Sequence, residues 1–436
     1  MVRLSPKVAA KASAAAKSGA AGLGGTMVMW TLLRRHVALS TDVYRLMLGL
    51  SLLGVALIVA SILVGRFGAA WTFLYPLPAK SLGMWSPLAA SGFVIGLTLI
   101  GVGFLLFYGD CAMALVRSHG SLWRALGMPQ LVSGDMSGAP PITVVASTMI
   151  VIVNVLGILG GAVVLVMTLV GLLLPGMVFD ALLMKNLIYF FGHVFINAAI
   201  YMAVIAVYEI LPLYTGKPWK VSRAVLAAWA AAVLLVTTVY PHHLLMDGAM
   251  PRWALALGQA VSFMSGIPVL IVTAWGALAN VARSGMRWSL PPALLVLGVM
   301  GWAIGVVPAV IDATIVVNKV MHNTLWVPGH FHTYLLLGLL PMLFGFMLHM
   351  VRASDAPAAL DRAAFWLYAI GAATFSLSFL YGGVMSVPRR FAEHAPQWLA
   401  SSTIGSVAGT VVILAAVWMV LRVLHKLPGA RMVTSA

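Results

Sequence analysis

The chain is poor in the groups that build a water-compatible surface or a covalent scaffold. Its single cysteine, Cys111, excludes an internal disulfide and any thiolate metal cluster built by this chain alone. Asp and Glu together number 10, and charged residues of both signs make up 8% of the 436 residues, against roughly a quarter in a soluble domain. Such a chain cannot cover itself with a wettable surface. No polar block is long enough for a separate soluble domain. The first strong apolar run begins near Leu46, behind a basic, Ala-rich stretch that does not read as a cleavable signal peptide.

What fills the chain is apolar. Hydrophobic residues reach 62% and the mean hydropathy is +1.03. Apolar segments recur at roughly 45–66, 86–109, 142–174, 186–213, 224–246, 255–281, 290–317, 326–351, 364–385 and 401–424. Each can cross a hydrocarbon core of ~30 Å at ~1.5 Å per residue. This predicts an all-α integral membrane protein of about ten transmembrane helices. Residues 1–44 are expected to be a cytoplasmic basic tail, of which Met1 to about Ala21 is a mobile or weakly helical extension against anionic headgroups. Residues 45–426 form a single helix-bundle domain, and 427–436 a cytoplasmic C-terminal tail. The net charge of +16 would suggest nucleic acid in a soluble protein. Here the cations lie between apolar runs and report orientation instead, so the expected surroundings are a lipid bilayer and no nucleic acid. With the N-terminus in the cytoplasm, 19 of the 26 Lys and Arg fall on that side, which predicts that both termini are cytoplasmic.

Histidine is the chemistry-bearing residue, with eleven in the chain. Five sit in or at the edge of apolar spans, where an ionisable group is costly and marks function by default. His330 and His332, in HNTLWVPGHFHTYL, are two apart and point about 200° from each other on a helix. They cannot easily share an ion, but each can hold a ligand on opposite faces of one helix. His242 and His243, in VYPHHLLMD, are adjacent, and Pro241 supplies the distortion that would let them converge. His193, in FFGHVFINAAIY, lies on the preceding span; three imidazoles suit copper and leave an open position for a substrate. A pair of hydrogen-bonded packing histidines is the bland alternative for His330 and His332, and a satisfied core residue is the one for His193 alone. Under the charge-derived topology, however, all five fall in the outer third of the membrane. Arg389 and Arg390, in SVPRRF, lie in an outer loop near that level and suit carboxylate or phosphate groups.

These stretches resemble subunit I of the haem–copper oxidases, most closely the B-type bacterial and archaeal branch. The likeness runs from WTFLYP near Trp71 to the last span, and HNTLWVPGHFH is its most specific part. The resemblance implies that His193, His242 and His243 hold the copper ion called CuB. It implies that His330 is the axial ligand of a high-spin haem and His332 an axial ligand of a low-spin haem. His322, Arg389 and Arg390 would then hold haem propionates. Tyr208 either matches a tyrosine of the family's proton-input channel or is an aromatic of the inner membrane belt. Asp312 and Glu209 are loose candidates for proton handling. Two haems, one copper and a bacterial or archaeal cytoplasmic membrane follow from the same likeness.

Two departures from the family pattern matter. Family members have twelve spans, and the chain seen as ten lacks the first two, the second of which carries the other low-spin haem histidine. A separate small subunit is therefore expected to supply that helix pair and that ligand. Oxygen-reducing members also carry a tyrosine four residues after the first copper histidine; here the position is Asn197, and the C-type alternative position is Met246. Tyr201 is too far along the axis, and Tyr240, two residues before His242, is the remaining substitute. Reduction of O₂ in one step takes four electrons, one of them normally lent by the tyrosine. Reduction of two NO to N₂O takes two electrons, so the loss tilts the expectation toward a nitric oxide reductase over an O₂-reducing terminal oxidase. Electrons would arrive from a cytochrome c, a CuA-type subunit or a quinol. The readings from other classes are a transporter and a non-catalytic assembly subunit.

Overall fold

The computed structural model describes residues 22–69, 73–351, 359–389, 393 and 395–426. Ten helices are long and apolar enough to cross a membrane, and no strand occurs among the described residues. They follow a short apolar helix, α1, Gly22–Leu33. In chain order the ten are α2 (Thr41–Leu63), α3 (Pro87–His119), α4 (Ile142–Leu173), α5 (Ala181–Thr215), α6 (Arg223–Leu244), α7 (Arg252–Val281), α8 (Leu290–Asp312), α9 (Trp326–Met350), α10 (Ala359–Val384) and α11 (Pro396–Lys426). The observed spans match the ten expected from the apolar runs.

The helix starts are written locally. Ser40, Ser86, Asp180 and Ser222 each accept a hydrogen bond from the backbone N–H three residues on, capping α2, α3, α5 and α6. Each such cap is worth about 1 kcal/mol. Gly120 and Gly216 end α3 and α5 in the left-handed conformation that residues with a Cβ adopt reluctantly.

Burial then sorts the helices. In α5 and α9, 78% and 67% of the most apolar window is buried inside the protein, against 17% in α7 and 22% in α11. The two most enclosed helices are the ones that carry His193 and the pair His330 and His332. The outer helices turn large apolar side chains outward, among them Leu52, Trp275, Ile413 and Leu414, as a lipid-facing surface requires.

Helix α9 is not regular. Thr333–Leu339, directly after His332, winds as a π-helix, a distortion that concentrates at functional sites. It is pressed from one side by α8, where a Cβ on Gly301 would overlap the Leu337 carbonyl and one on Gly305 would come 2.9 Å from the Tyr334 ring. Small residues at such a crossing let two backbones meet closely.

The tail reading does not describe Gly22–Leu33. This stretch is a helix in the bundle core, with Val28, Met29, Leu32 and Leu33 fully buried. A Cβ on Gly25 would lie 2.8 Å from the Met202 Sδ-methyl and 3.4 Å from the Ala199 carbonyl of α5. Twelve residues reach only ~18 Å, about half a bilayer core, so an apolar-run criterion for spanning passes over them. At its far end His36 Nε2 lies 2.8 Å from Glu209 Oε1 of α5, and Thr143 donates to the same carboxylate. Residues 1–21 and 427–436, to which the rest of the two tail expectations refers, lie outside the described residues.

Candidate metal centre

The histidine pair His242–His243 closes a span in a way its sequence demands. Pro241 removes a backbone donor, and α6 tightens at its end into a 3₁₀ turn over Tyr240–Leu244. Gly258 of α7 packs against that turn, where a Cβ would come 2.8 Å from the His242 nitrogen. The distortion turns two adjacent side chains toward α5, as Pro241 suggested. The ring centroids of His193 lie 4.8 Å from His242 and 5.3 Å from His243, and the latter two are 4.1 Å apart. One nitrogen from each of the three falls within 4.8 Å of the others; among the described residues this is the one group of three that could hold a metal ion.

Each ring is held from behind. Ser262 Oγ donates to the Gly258 carbonyl at 2.6 Å and lies 2.8 Å from His242 Nδ1. The hydroxyl has one proton and has spent it, so it accepts from Nδ1–H and leaves the lone pair on His242 Nε2. His193 Nδ1 is 3.1 Å from His243 Nε2, and the Asn197 amide nitrogen lies 2.9 Å from His193 Nε2 and donates to the His193 carbonyl at 2.9 Å. Tyr189 stacks on His243, centroids 5.4 Å apart at 17°. Three imidazoles, that of His242 with its tautomer set by Ser262, are a donor set that fits copper, with room for a fourth ligand.

The second half of the site is on α9. His332 Nδ1 donates to the Pro328 carbonyl at 2.5 Å, which places the lone pair of that ring on Nε2. Phe375 and Phe379 of α10 lie 5.3 and 5.2 Å from its ring. An imidazole with a fixed tautomer beside an aromatic wall fits an axial haem ligand. His330 projects elsewhere, toward α8, with Asp312 Oδ2 3.4 Å from its Nδ1 and Tyr334 in edge contact at 6.5 Å. The opposite-face geometry expected from two-residue spacing is therefore present in the structure.

The loop residues also meet. Leu325 N–H donates to the Val387 carbonyl and Arg389 N–H to the Asn323 carbonyl, both at 2.9 Å, around a bridge between Thr324 and Pro388. This pins the segment holding His322 beside the one holding Arg389, whose Nη2 donates to Asn323 Oδ1 at 3.3 Å. Arg390 lies outside the described residues. Tyr208 is buried on α5, its hydroxyl 2.6 Å from Thr273 Oγ1 and its ring 4.7 Å from Trp219. Tyr201 packs between Trp229 and Trp302, away from the three histidines. The Tyr240 hydroxyl donates to Asn186 Oδ1 at 3.1 Å. Sequence reading missed Ser262 and Tyr189. Their contacts join different helices, and the one local hint for Ser262 is a small polar residue four after Gly258 in an apolar run.

A bundle of ten membrane helices around three converging imidazoles and a two-faced histidine helix is the architecture of a polytopic membrane protein built to hold metal. The chain belongs to the family of cytochrome c and quinol oxidase polypeptide I, which matches residues 14–422. It is 28% identical over 238 residues to cytochrome c oxidase subunit 1 of Thermus thermophilus and 26% identical over 250 residues to cytochrome c oxidase polypeptide 1 of Halobacterium salinarum. These alignments take in 48% and 55% of this chain and 41% of each relative, so the chain spans about two fifths of the length of these curated relatives. A heme–copper oxidase subunit I+III of Aeropyrum pernix is 25% identical over 225 residues, which is 50% of this chain and 27% of that protein. Among solved structures, a heme–copper terminal oxidase dimer superposes with a TM-score of 0.73 at 21% identity, covering 92% of this chain and 72% of the other. That likeness shows the fold.

Proposed function

We propose that this chain is the catalytic core subunit of a respiratory haem–copper reductase in a bacterial or archaeal cytoplasmic membrane. The observation that carries the reading is the convergence of His193, His242 and His243 beside a helix that presents His330 and His332 in different directions. His193, His242 and His243 hold CuB, His330 the high-spin haem and His332 the low-spin haem; His322, Arg389 and Arg390 take the propionates. When bound, the haem iron and copper supply the electrons and the Lewis acidity that reduce a diatomic gas.

The chain's own residues do the rest. Ser262 fixes the proton on His242 Nδ1, so that its other nitrogen faces inward. Asn197 contacts the His193 ring at Nε2 and the His193 backbone carbonyl with one amide nitrogen. Tyr208 and Thr273, joined at 2.6 Å, hold a proton deep inside α5 and α7, and they are the proposed start of the proton path. A separate small subunit supplies the second low-spin haem histidine, and electrons come from a cytochrome c, a CuA-type subunit or a quinol. Both termini face the cytoplasm.

NO is the favoured substrate over O₂. The position four after His193 holds an amide, and the Tyr240 hydroxyl is engaged with Asn186. Two NO need only two electrons and two protons to become N₂O and water, which the two metals can deliver without a phenol. One observation favours the second reading, an O₂-reducing oxidase: Tyr189 is a phenol in ring contact with His243, and the named relatives are oxidases. Paired NO and O₂ electrodes on the purified complex with a reduced donor decide between them. Fast NO uptake with slow O₂ uptake supports the first reading. Fast O₂ uptake to water overturns it, and loss of that uptake in Tyr189→Phe would assign the phenol.

A further inference from the structure

Asp312 is the last residue of α8 and sits among apolar helices, its side chain 12% exposed. Its Oδ2 lies 3.4 Å from His330 Nδ1, a buried nitrogen that has no aligned hydrogen-bond partner. The carboxylate is aimed there by two contacts from one group. Asn318 Nδ2 donates to the Asp312 carbonyl at 2.7 Å and to Asp312 Oδ1 at 3.2 Å, which leaves Oδ2 toward the ring. Trp326 Nε1 donates to the Pro308 carbonyl at 3.1 Å, tying the start of α9 to the last turn of α8 and fixing the distance between the two residues. The α8 C-terminus adds its own partial negative charge at the same place.

We propose that Asp312 is a positioning residue for the reaction: its carboxylate accepts a charge-assisted hydrogen bond from His330 Nδ1–H and makes the opposite nitrogen a stronger electron donor. A carboxylate behind a ligating imidazole fixes ring orientation and tautomer and raises the ligand's basicity. On His330 that would give imidazolate character to the ligand a haem iron meets and would favour the oxidised iron. This assignment, which differs from proton handling, rests on the reading that His330 binds the high-spin haem.

The test is Asp312→Asn, with Asp312→Glu as the conservative variant, in the whole complex. The readouts are the iron–histidine stretching band of the reduced enzyme by resonance Raman and the midpoint potential of the high-spin haem. Asn keeps the volume and removes the charge. The expected result is a lower stretching frequency and a higher potential in Asp312→Asn, with Asp312→Glu returning both toward the parent. An unchanged band and potential in an Asp312→Asn complex that retains the haem would overturn the proposal. If Asp312→Asn does not assemble, Asn318→Ala decides, because it releases the carboxylate: a smaller shift in the same direction supports the proposal and no shift overturns it. His330→Ala separates the two levels. High-spin haem retained there sinks the haem assignment itself, whereas its loss there with no effect of Asp312→Asn sinks only the role of Asp312.

Discussion

Replacing Ser262 by alanine isolates one oxygen atom on which the His242 tautomer depends. In the parent that oxygen gives its proton to the Gly258 carbonyl and accepts at 2.8 Å from His242 Nδ1. In Ser262→Ala the Nδ1–H is left in an apolar surrounding without an acceptor. The ring can then rotate or move its proton to Nε2, and both changes remove the lone pair that faces His193 and His243. Partners of this kind are worth about 10–100-fold in metal affinity, or about 1.4–2.8 kcal/mol at about 1.4 per factor of ten. The packing cost of losing one oxygen from a half-buried site is small by comparison, so the fold should hold. Copper retained by the purified complex, titrated against a graded series of chelators, gives the affinity. Ser262→Ala should release copper at about 10–100-fold lower chelator strength, and Ser262→Thr, which keeps the acceptor, should stay near the parent. Equal copper retention in Ser262→Ala and the parent would refute the tautomer argument.

Other predictions probe the frame around the site. Gly301→Val forces a branched side chain onto the Leu337 backbone; it should cost about 1–3 kcal/mol as overpacking and broaden the low-spin haem spectrum, and a parental melting curve and spectrum would contradict it. Asp361, 2% exposed, accepts from Arg422 Nη2 at 3.0 Å and Trp418 Nε1 at 3.2 Å. Asp361→Leu strands that arginine and should cost up to about 3 kcal/mol in detergent, less than a fully buried pair because Arg422 retains some exposure, with Arg422→Met recovering part of it. Asp247, in the loop after α6, accepts from Lys185 Nζ at 2.6 Å, and that bond holds its carboxyl below the ordinary 3.8. A depressed carboxyl contributes stability that is complete above its unfolded value and lost as pH falls through the folded one. The melting temperature should therefore drop below about pH 4 more steeply in the parent than in Lys185→Met, and equal slopes would dismiss the pair.

Much of this architecture was legible in the sequence because lipid imposes a simple rule. A span must be apolar over about twenty residues, and ten such runs became ten helices. The pairing of His193 with His242 and His243 was legible for a related reason: histidines are rare in apolar runs, so few combinations existed, and Pro241 announced the turn that lets neighbours converge. Helix α1 escaped because Gly22–Leu33 is half a span, buried by α5 and α9 rather than by lipid. Asp312 was only a loose candidate for proton handling beside Glu209, because its target depended on the register between α8 and α9. That register is set by contacts such as Trp326 to Pro308 and by the glycines at 298, 301 and 305, which no local pattern encodes. Ser262 and Tyr189 were hidden for the same reason, since a serine or tyrosine in an apolar run gives no sign of which helix it will meet.

The most direct test of the central claim is the haem and copper content of the purified complex, measured beside His330→Ala and His193→Ala. The expected parent content is two haems and one copper per chain. His330→Ala should lose the high-spin haem signal, and His193→Ala should lose copper with both haems retained. A parent complex without copper, or a His330→Ala spectrum identical to the parent's, would contradict it.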